Sequence, residues 1–317
     1  MSTLVIGGGG FVGAYLIRRL LSSDDGSVHV TKLPSERVDI TADGLRISDM
    51  DIRRPDEIAG LLRRVRPERI YHLAGQSSAA LSWEKPALTF EVNTIGAVNL
   101  LEAVRECKLS PRILLIGSGE EYGTNLPSVA PIRETASTRP SNPYALSKLA
   151  QSIIGTIYHN AYSMQTIAVR AFNHVGPGQT ESFVVADFCK QVAEIEHGLR
   201  EPVLKVGNLS AVRDFTDVRD VVRAYTAIME KGVAGRIYNV GGGAVCSIQE
   251  LVERILSLAE CKISIETEPA KMRPVDVPFI SADITQLKKD TGYTAQFSLN
   301  ETLLNTLNYW RQKCSVS

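Results

Sequence analysis

The sequence has no excess of either charge, no paired cysteines and no long apolar run. Its 35 basic residues balance 35 acidic ones, which gives no indication of a nucleic-acid partner. A net charge of zero does not exclude a local cluster of positive charge, so a few Arg side chains could still hold an anionic substrate. The five cysteines are widely spaced and form no CxxC or CxxH pair. We therefore predict reduced thiols, with neither a metal site nor a disulfide framework.

Membrane and repeat signals are also missing. No uncharged apolar run reaches membrane length, and the residues after Met1 show no basic segment followed by an apolar one. We expect a cytoplasmic protein without a membrane partner. No internal repeat with a period of about 20 to 50 residues is present, and no low-complexity tract, which argues against solenoids and disordered linkers.

The composition that remains is that of an ordinary globular protein, with 44% hydrophobic and 22% charged residues. In the first half, short apolar runs alternate with amphipathic stretches, which predicts a Rossmann-type, doubly wound parallel sheet with helices on both faces. The predicted strands cover residues 4–6, 28–31, 70–73, 112–116 and 166–170, and the predicted helices cover 12–21, 55–65, 88–106 and 143–162.

The length of 317 residues exceeds that of most compact domains, so a second, smaller α/β lobe is expected. We predict a dinucleotide-binding domain over residues 1–170, to which segments near 210–238 and 279–292 return. Residues 171–317 should mainly form the substrate-binding lobe, because Gly and Pro punctuate the chain more often there.

A glycine-rich turn follows the first predicted strand and opens the first predicted helix. Glycine suits such a turn because a side chain would keep a diphosphate away from the amides at the positive end of the helix. A tight turn that binds nothing is the alternative. The predicted cofactor-binding residues here are Gly7, Gly10, Phe11, Val12 and Gly13.

Lys32 stands at the end of the second predicted strand, where an acidic residue would hold the ribose hydroxyls of NAD. A cation there favours the 2′-phosphate of NADP(H), although Lys32 could equally be a solvated surface charge, with Arg37 supplying the contact. NADP(H) is therefore the predicted cofactor, with NAD(H) as the alternative. Later strand ends add Asp51, Ile52, Leu73, Ala74 and Gly75 to the predicted cofactor site.

Tyr144 and Lys148 are four residues apart, so on a helix their side chains share one face. Tyr at its ordinary pKa of about 10 is a poor acid or base at neutral pH, and a nearby ammonium stabilises the phenolate. Lowering that pKa by about three units needs roughly 4 kcal/mol, which Lys148 and a cationic nicotinamide ring could supply. An ordinary helix pair is the alternative.

Ser118 follows the predicted strand 112–116, which delivers its hydroxyl to the carboxyl edge of the sheet. There it could donate a hydrogen bond to a carbonyl oxygen while Tyr144 protonates the same oxygen. A helix-capping or turn serine is the alternative. Ser118, Tyr144 and Lys148 are the predicted catalytic residues, together with Glu120, which comes shortly after Ser118.

Together, the glycine turn, the segment 118–123 and Tyr144-x-x-x-Lys148 resemble the extended short-chain dehydrogenase/reductase family over essentially the whole chain. The resemblance implies that Tyr144 is the acid or base, that Lys148 holds the nicotinamide ribose and lowers the pKa of Tyr144, and that Ser118 orients the reacting oxygen.

The second half is similar to the nucleotide-sugar branch of that family. Segment 170–179 resembles the lining of the sugar site, and segments 206–220 and 272–278 resemble the GDP-mannose enzymes. The resemblance implies that two arginines hold the diphosphate, since the Arg fork donates two parallel bonds to phosphate oxygens. The resemblance also implies that an acid, here Asp276 rather than the more frequent Glu, accepts hydrogen bonds from the ribose hydroxyls. The implied substrate residues are Glu120, Asn173, Lys190, Asn208, Arg213, Arg273 and Asp276.

The implied reaction is NADPH-dependent reduction of the C4 keto group of GDP-4-dehydro-6-deoxy-D-mannose to GDP-D-rhamnose. Glu120 keeps a GDP-mannose 4,6-dehydratase open, because dehydratases keep a Glu at this place to remove the C5 proton. Gly119 and the short stretch 32–39 count against it. A 4-epimerase or a talose-forming reductase is a further alternative. The family also implies a homodimer, formed by a four-helix interface of the helices at 88–106 and 143–162.

Overall fold

The computed structural model describes residues 1–23, 26–124, 130–271 and 277–315. Strands and helices alternate through most of this part of the chain. The strands are β1 Ser2–Ile6, β2 Ser27–Lys32, β3 Leu45–Asp49, β4 Arg69–His72, β5 Arg112–Ser118, β6 Gln165–Ala171, β7 Asn173–Val175, β8 Val203–Val206, β9 Val212–Asp217, β10 Ile237–Val240, β11 Ala244–Ser247, β12 Ser264–Thr267 and β13 Phe279–Ile280.

The helices include long amphipathic elements and a few single turns. The α-helices are α1 Phe11–Ser22, α2 Pro55–Val65, α3 Ala79–Glu84, α4 Pro86–Phe90, α5 Gly96–Glu106, α6 Pro143–Tyr162, α7 Val184–Glu196, α8 Val218–Lys231, α9 Ile248–Ser257, α10 Thr285–Thr291 and α11 Leu299–Ser315. Short π or 3₁₀ turns occupy Glu91–Ile95, Gly119–Tyr122 and Pro269–Lys271.

Seven strands form the central sheet in the order β10-β6-β5-β4-β1-β2-β3. Every neighbouring pair in this sheet is parallel. The first six strands along the chain lie in the order β3-β2-β1-β4-β5-β6, which is that of a doubly wound dinucleotide-binding sheet. The direction in which successive strands are added reverses between β1 and β4. The predicted Rossmann-type fold is confirmed, and the reversal places the carboxyl ends of β1 and β4 at a binding crevice.

The inner strands of the sheet are buried on both faces, so they are largely apolar. In β1, Val5 packs with Leu16 and Ile17 of α1 on one face. Leu4 and Ile6 point the other way, toward the apolar residues of α2 and α5. Burial on both faces explains why the sequence shows short continuous apolar runs here rather than strict alternation.

The predicted elements of the first half are present with shifted ends. Helix 88–106 is not one α-helix, because the π turn Glu91–Ile95 separates α4 from α5. A π turn inserts one residue into the helical repeat without any breaker residue, so periodicity could not reveal it. Among the helices of the described residues, none has the combination of length and apolar character needed to span a bilayer.

A second, smaller sheet contains β11, β9 and β13, with β7 also paired to β9, and β8 pairs separately with β12. Its core joins apolar side chains of α7, α9 and α11. Of the segments expected to return to the first domain, β10 joins the large sheet, whereas β9 and β13 belong to the small one. The domain boundary near residue 170 stays a prediction.

Candidate active site

The site lies at the carboxyl edge of the large sheet, where β1, β4 and β5 end side by side. In the sheet register Ile6 pairs with His72, and His72 pairs with Leu115. The chain then leaves β1 at Gly7 and β4 at Leu73, while β5 continues to Ser118. The predicted cofactor loop and the predicted catalytic serine are therefore brought to one edge.

Ser118 ends β5 and caps the 3₁₀ turn Gly119–Tyr122. Its Oγ accepts a hydrogen bond from the Glu120 amide (3.2 Å), and its own amide donates to Glu121 Oε1 (2.9 Å), which makes a capping box. The capping role and a substrate role are compatible, because the Ser118 hydroxyl proton remains free to donate elsewhere. Capping holds the hydroxyl in place at the sheet edge.

The neighbours Glu120 and Glu121 have opposite surroundings. Glu121 is fully buried, and its Oε2 pairs with Arg170 Nε at 2.8 Å. Glu120 is half-buried and accepts a hydrogen bond from Asn142 Nδ2 (2.9 Å). Glu120 is thus the carboxylate on the Tyr144 side of the turn, whereas Glu121 supports the turn from inside the protein.

Asn142 also begins α6, because its Oδ1 accepts a bond from the Ala145 amide (2.8 Å) and Pro143 takes the first helical position. This start places Tyr144 in the first turn. Burial raises the pKa of Tyr144, the Glu120 carboxylate raises it further, and hydrogen bonding with Ser118 lowers it. The net shift is upward, whereas the lowering that the sequence predicts involves Lys148 together with a cationic nicotinamide ring.

Lys148 lies one turn further along α6 and is 5% exposed. Its Nζ donates to the Ile116 carbonyl (2.8 Å) and to Gln151 Oε1 (3.2 Å), and a Cβ at Gly75 would come within 3.0 Å of it. Burial lowers the pKa of Lys148 to about 8, against the raising effect of Glu121. The ammonium is therefore held between the ends of β4 and β5, where the nicotinamide ribose is expected.

Asn93 is a site residue that the sequence did not reveal. It lies in the π turn and is fully buried. Its Nδ2 donates to Ser147 Oγ (2.9 Å) and to the Gln76 carbonyl (3.0 Å), while its Oδ1 accepts from the Gln76 amide (2.8 Å). These bonds tie the loop after Gly75 to α6. The signal available in the sequence was a polar residue, Asn93, among the apolar positions of a predicted helix.

In the glycine turn, neighbouring backbone segments lie too close together for a side chain. Gly7 has φ +81°, and a Cβ there would lie 2.5 Å from the Ala74 amide nitrogen. At Gly13 a Cβ would lie 2.4 Å from the Gly8 carbonyl oxygen, which explains the need for glycine where α1 meets the loop. Above Gly10 the space is open, with the nearest atom 4.0 Å from a Cβ.

The start of α1 fits a diphosphate. The helix begins after Gly10 with no side-chain cap and no acidic residue in its first turn, which contains Phe11 and Val12. Its first amides and the positive end of its dipole are therefore directed at the open space. These features match a dinucleotide held by backbone amides, with Lys148 at the far end of the crevice.

At the adenosine end, two of the predicted cofactor residues have ion-pair partners, and their roles toward a cofactor stay predictions. Lys32 Nζ makes an ion pair with Asp49 Oδ1 (2.6 Å) and donates to the Leu33 carbonyl (3.2 Å). Asp51 is engaged by Arg53, with an Nη2 to Oδ2 distance of 2.6 Å that helps to lower the pKa of the Asp51 carboxyl. Ile52 is buried. The cation at the end of β2 is thus paired with an exposed carboxylate of β3.

The first helix also contacts the predicted sugar segment. The rings of Phe11 and His174 stack with centroids 6.1 Å apart, and Tyr15 donates from its hydroxyl to the Pro177 carbonyl (2.8 Å). Asn173 begins β7 beside them and pairs with Phe215 of β9. The cofactor loop and the segment after β6 are therefore adjacent.

The remaining predicted substrate residues lie in the second half of the chain. Arg213 is on β9, with Nη1 donating to the Val277 carbonyl (2.6 Å), and Asn208 closes a turn with the Ser210 amide (3.0 Å). Lys190, on α7, forms an ion pair with Glu181 (3.0 Å). Their roles toward a substrate stay predictions. Two further predicted residues, Arg273 and Asp276, lie outside the described residues.

A doubly wound sheet that carries Ser118, Tyr144 and Lys148 at its carboxyl edge defines an oxidoreductase of the short-chain dehydrogenase/reductase type, as the sequence predicts. The family model described as GDP-mannose 4,6 dehydratase matches residues 4–306. The chain therefore belongs to the GDP-mannose 4,6-dehydratase family, a result that confirms the resemblance seen in the sequence and the assignment as an enzyme.

Characterised relatives carry out more than one reaction. The chain is 34% identical over 263 residues to GDP-6-deoxy-D-mannose reductase of Pseudomonas aeruginosa, covering 83% of this chain and 86% of the relative. It is 30% identical over 321 residues to UDP-glucose 4-epimerase of Mycolicibacterium smegmatis, covering 99% of both chains. The solved structure of RMD from Pseudomonas aeruginosa complexed with NADPH matches with a TM-score of 0.87 and 30% identity, covering 99% of this chain and 100% of that one.

Proposed function

We propose that the chain reduces the C4 keto group of GDP-4-dehydro-6-deoxy-D-mannose to GDP-D-rhamnose with NADPH, and that NADH is the alternative donor. The observation that carries this proposal is the placement of Ser118, Tyr144 and Lys148 at one edge of the sheet, in a chain similar to a GDP-6-deoxy-D-mannose reductase. The ordinary pKa of Tyr is about 10, and burial and the Glu120 carboxylate raise the pKa of Tyr144 further. Tyr144 is therefore protonated at neutral pH. A protonated phenol is the form that a reduction requires, because the alkoxide formed at C4 is more basic than a phenolate.

Each site residue has a separate role in the proposed reduction. Ser118 donates a hydrogen bond to the C4 oxygen of the sugar and orients it. Tyr144 transfers its proton to that oxygen as negative charge develops, and general acid help of this kind is worth about a hundredfold to ten-thousandfold. Lys148 holds the ribose next to the nicotinamide, which supplies the hydride when the cofactor is bound. Arg213 would bind the diphosphate of the GDP-sugar.

A GDP-mannose 4,6-dehydratase is the second candidate, and the half-buried carboxylate of Glu120 beside Tyr144 favours it. Dehydratases and 4-epimerases both begin by taking a proton from the C4 hydroxyl, which requires Tyr144 as a phenolate. The similarity to a GDP-6-deoxy-D-mannose reductase favours reduction over these reactions. A talose-forming reductase would use the same residues with the opposite face of the sugar toward the nicotinamide.

Substrate specificity tests the proposal directly. Purified protein should oxidise one NADPH per molecule of the 4-keto-6-deoxy GDP-sugar, and NMR of the product should show GDP-D-rhamnose. Absorbance at the nicotinamide band measures the stoichiometry. GDP-mannose alone should remain unchanged. Conversion of GDP-mannose without added reductant would instead support the dehydratase, and a GDP-talose product would correct the stereochemistry.

A homodimer is also proposed, because α6 exposes an apolar stripe. Leu146, Ile153 and Ile157 are 46%, 47% and 53% exposed. Their spacing of seven and four residues places them on one side of α6, opposite Tyr144 and Lys148. Burial against the same stripe of a second copy would remove this apolar area from water and leave the catalytic side of α6 untouched.

Substitution of Ile153 by Asp is expected to shift the protein from dimer to monomer, because the charge would be buried in the apolar interface. Light scattering after size-exclusion chromatography measures the mass in solution. Leu199→Asp is the matched control, since Leu199 is 63% exposed on the loop after α7 and should leave the mass unchanged. An unchanged dimer in the Ile153 variant would place the interface elsewhere.

A further inference from the structure

A hydroxyl and a carboxylate that take no direct part in the proposed reduction meet in the interior next to the catalytic residues. Ser152 of α6 and Glu121 of the 3₁₀ turn are both fully buried. Ser152 Oγ donates a hydrogen bond to Glu121 Oε1 (3.0 Å). The same oxygen accepts a hydrogen bond from the Ser118 amide (2.9 Å). One carboxylate oxygen therefore connects the end of β5, which carries Ser118, to α6.

Ser152 lies on the side of α6 that carries the predicted catalytic residues. Tyr144, Lys148 and Ser152 are spaced by four residues, so on a helix their side chains share one face. A Cβ at Gly117 would lie 2.9 Å from Ser152 Oγ and closer still to Glu121 Oε1. Glycine at this position of β5 therefore leaves the room in which the hydroxyl and the carboxylate meet.

The other carboxylate oxygen of Glu121 is held separately. It accepts a hydrogen bond from Arg170 Nε (2.8 Å), and the Arg170 guanidinium lies over the Tyr122 ring, 4.5 Å from its centroid. The guanidinium supplies the opposite charge that a buried carboxylate needs. Removal of the Ser152 hydroxyl alone would therefore loosen α6 from the end of β5 and leave the ion pair in place.

The sheet register fixes Ser118 relative to β6 rather than to α6, because Ser118 pairs with Ala171. Two residues of α6, Lys148 and Gln151, donate to the Ile116 carbonyl of β5 (2.8 and 3.0 Å). These bonds attach the helix two residues before the catalytic serine. The bridge through the buried carboxylate extends the attachment to Ser118 itself.

We propose that Ser152, acting through Glu121, is a positioning residue that sets the separation of the Ser118 and Tyr144 hydroxyls. The proposal rests on the proposed reduction, in which both hydroxyls must reach the C4 oxygen at once, each over about 2.6 to 3.2 Å. A shift of α6 against the end of β5 would take one hydroxyl out of reach, and a misplacement of about 1 Å costs about a hundredfold in rate. Cofactor binding should not depend on the bridge, because Lys148 has bonds of its own to β5.

The test is a double-mutant cycle on kcat of the full-length chain for the keto sugar. Ser152→Ala should lower kcat about tenfold, while the KM for the sugar and the dissociation constant for NADPH change less than about threefold. In a Ser118→Ala background, the same substitution should lower kcat less than about twofold, because the residue that Ser152 positions has lost its hydroxyl. A purely structural Ser152 would instead lower kcat by the same factor in both backgrounds.

Thr156→Val is the matched control on the same helix. Thr156 Oγ1 donates to the Ser152 carbonyl one turn away within α6 (3.3 Å), so loss of this hydroxyl should leave kcat within about twofold. Kinetics are measured below the melting temperature of every variant, so that only folded protein is compared.

An unchanged kcat in Ser152→Ala, or equal losses of kcat in the two backgrounds, would overturn the proposal. If the unaltered protein did not reduce the keto sugar, the proposed function itself would fail, which is a different outcome from an active protein that tolerates Ser152→Ala.

Discussion

Replacing Tyr144 by Phe is expected to lower kcat for the keto sugar by about a hundredfold to ten-thousandfold, because the variant has no proton to give to the C4 oxygen. The substitution removes one oxygen and leaves the ring in place at the start of α6. Cofactor affinity should change little, since Lys148 keeps its bonds to Ile116 and Gln151. Steady-state kinetics and a separate NADPH titration measure the two effects.

A control on the same helix separates loss of chemistry from a change in α6. Tyr162 is 54% exposed at the last turn of α6, so Tyr162→Phe should retain the kcat of the unaltered protein. If Tyr144→Phe also retained full kcat, Tyr144 would not be the proton donor. If the variant lost NADPH binding as well as turnover, the effect would be on the site as a whole.

The largest effect on stability is expected at the buried ion pair of Arg170 and Glu121. Their side chains are 5% and 0% exposed, and the Nε to Oε2 distance is 2.8 Å. Arg170→Ala should lower the free energy of unfolding by about 3 to 5 kcal/mol, because an uncompensated carboxylate is left in the interior. Urea denaturation followed by circular dichroism measures the loss.

The loss should also depend on pH. Burial already raises the pKa of Glu121, and without the guanidinium that pKa would rise further. A pKa above that of the unfolded chain means that the folded variant binds the proton more tightly, so acid favours folding of the variant. The difference in stability from the unaltered protein should therefore be largest where Glu121 is ionised in both proteins, and it should narrow as the pH falls through the raised pKa of Glu121 in the variant.

An exposed pair provides the comparison for this measurement. Arg133 is 78% exposed and lies 3.1 Å from Asp283. Arg133→Ala should cost less than about 1 kcal/mol, because water screens and replaces the lost contact. A loss below about 1 kcal/mol for Arg170→Ala too would mean that Glu121 finds another partner or takes up a proton without cost, contrary to the prediction.

Some features of the site follow from residues close together in the chain. The glycine turn between β1 and α1 and the spacing of Tyr144 and Lys148 are short-range patterns, and the structure places both as the sequence predicts. The parallel sheet was predictable as well, because strands buried on both faces have short apolar runs separated by amphipathic helices.

Other features depend on partners distant in the chain. Glu120 and Glu121 are adjacent, yet only Glu121 is buried, because Arg170 reaches it from the end of β6, 49 residues away. Asn93 joins Gln76 and Ser147 across 17 and 54 residues through a π turn without a sequence signal. Lys32, which the sequence predicts as a phosphate contact, forms an ion pair with Asp49 of the neighbouring strand.

The amino-acid sequence was therefore sufficient for the class of fold and for the placement of the glycine turn and the three predicted catalytic residues at the sheet edge, since each depends on spacing along one or two elements. The direction of the Tyr144 pKa shift and the charge at the adenosine end came only from the folded chain. Burial and the Glu120 carboxylate raise that pKa, and the packing of β2 against β3 pairs Lys32 with Asp49. Electrostatic effects of this kind depend on distance in space and on access to water, which order along the chain does not specify.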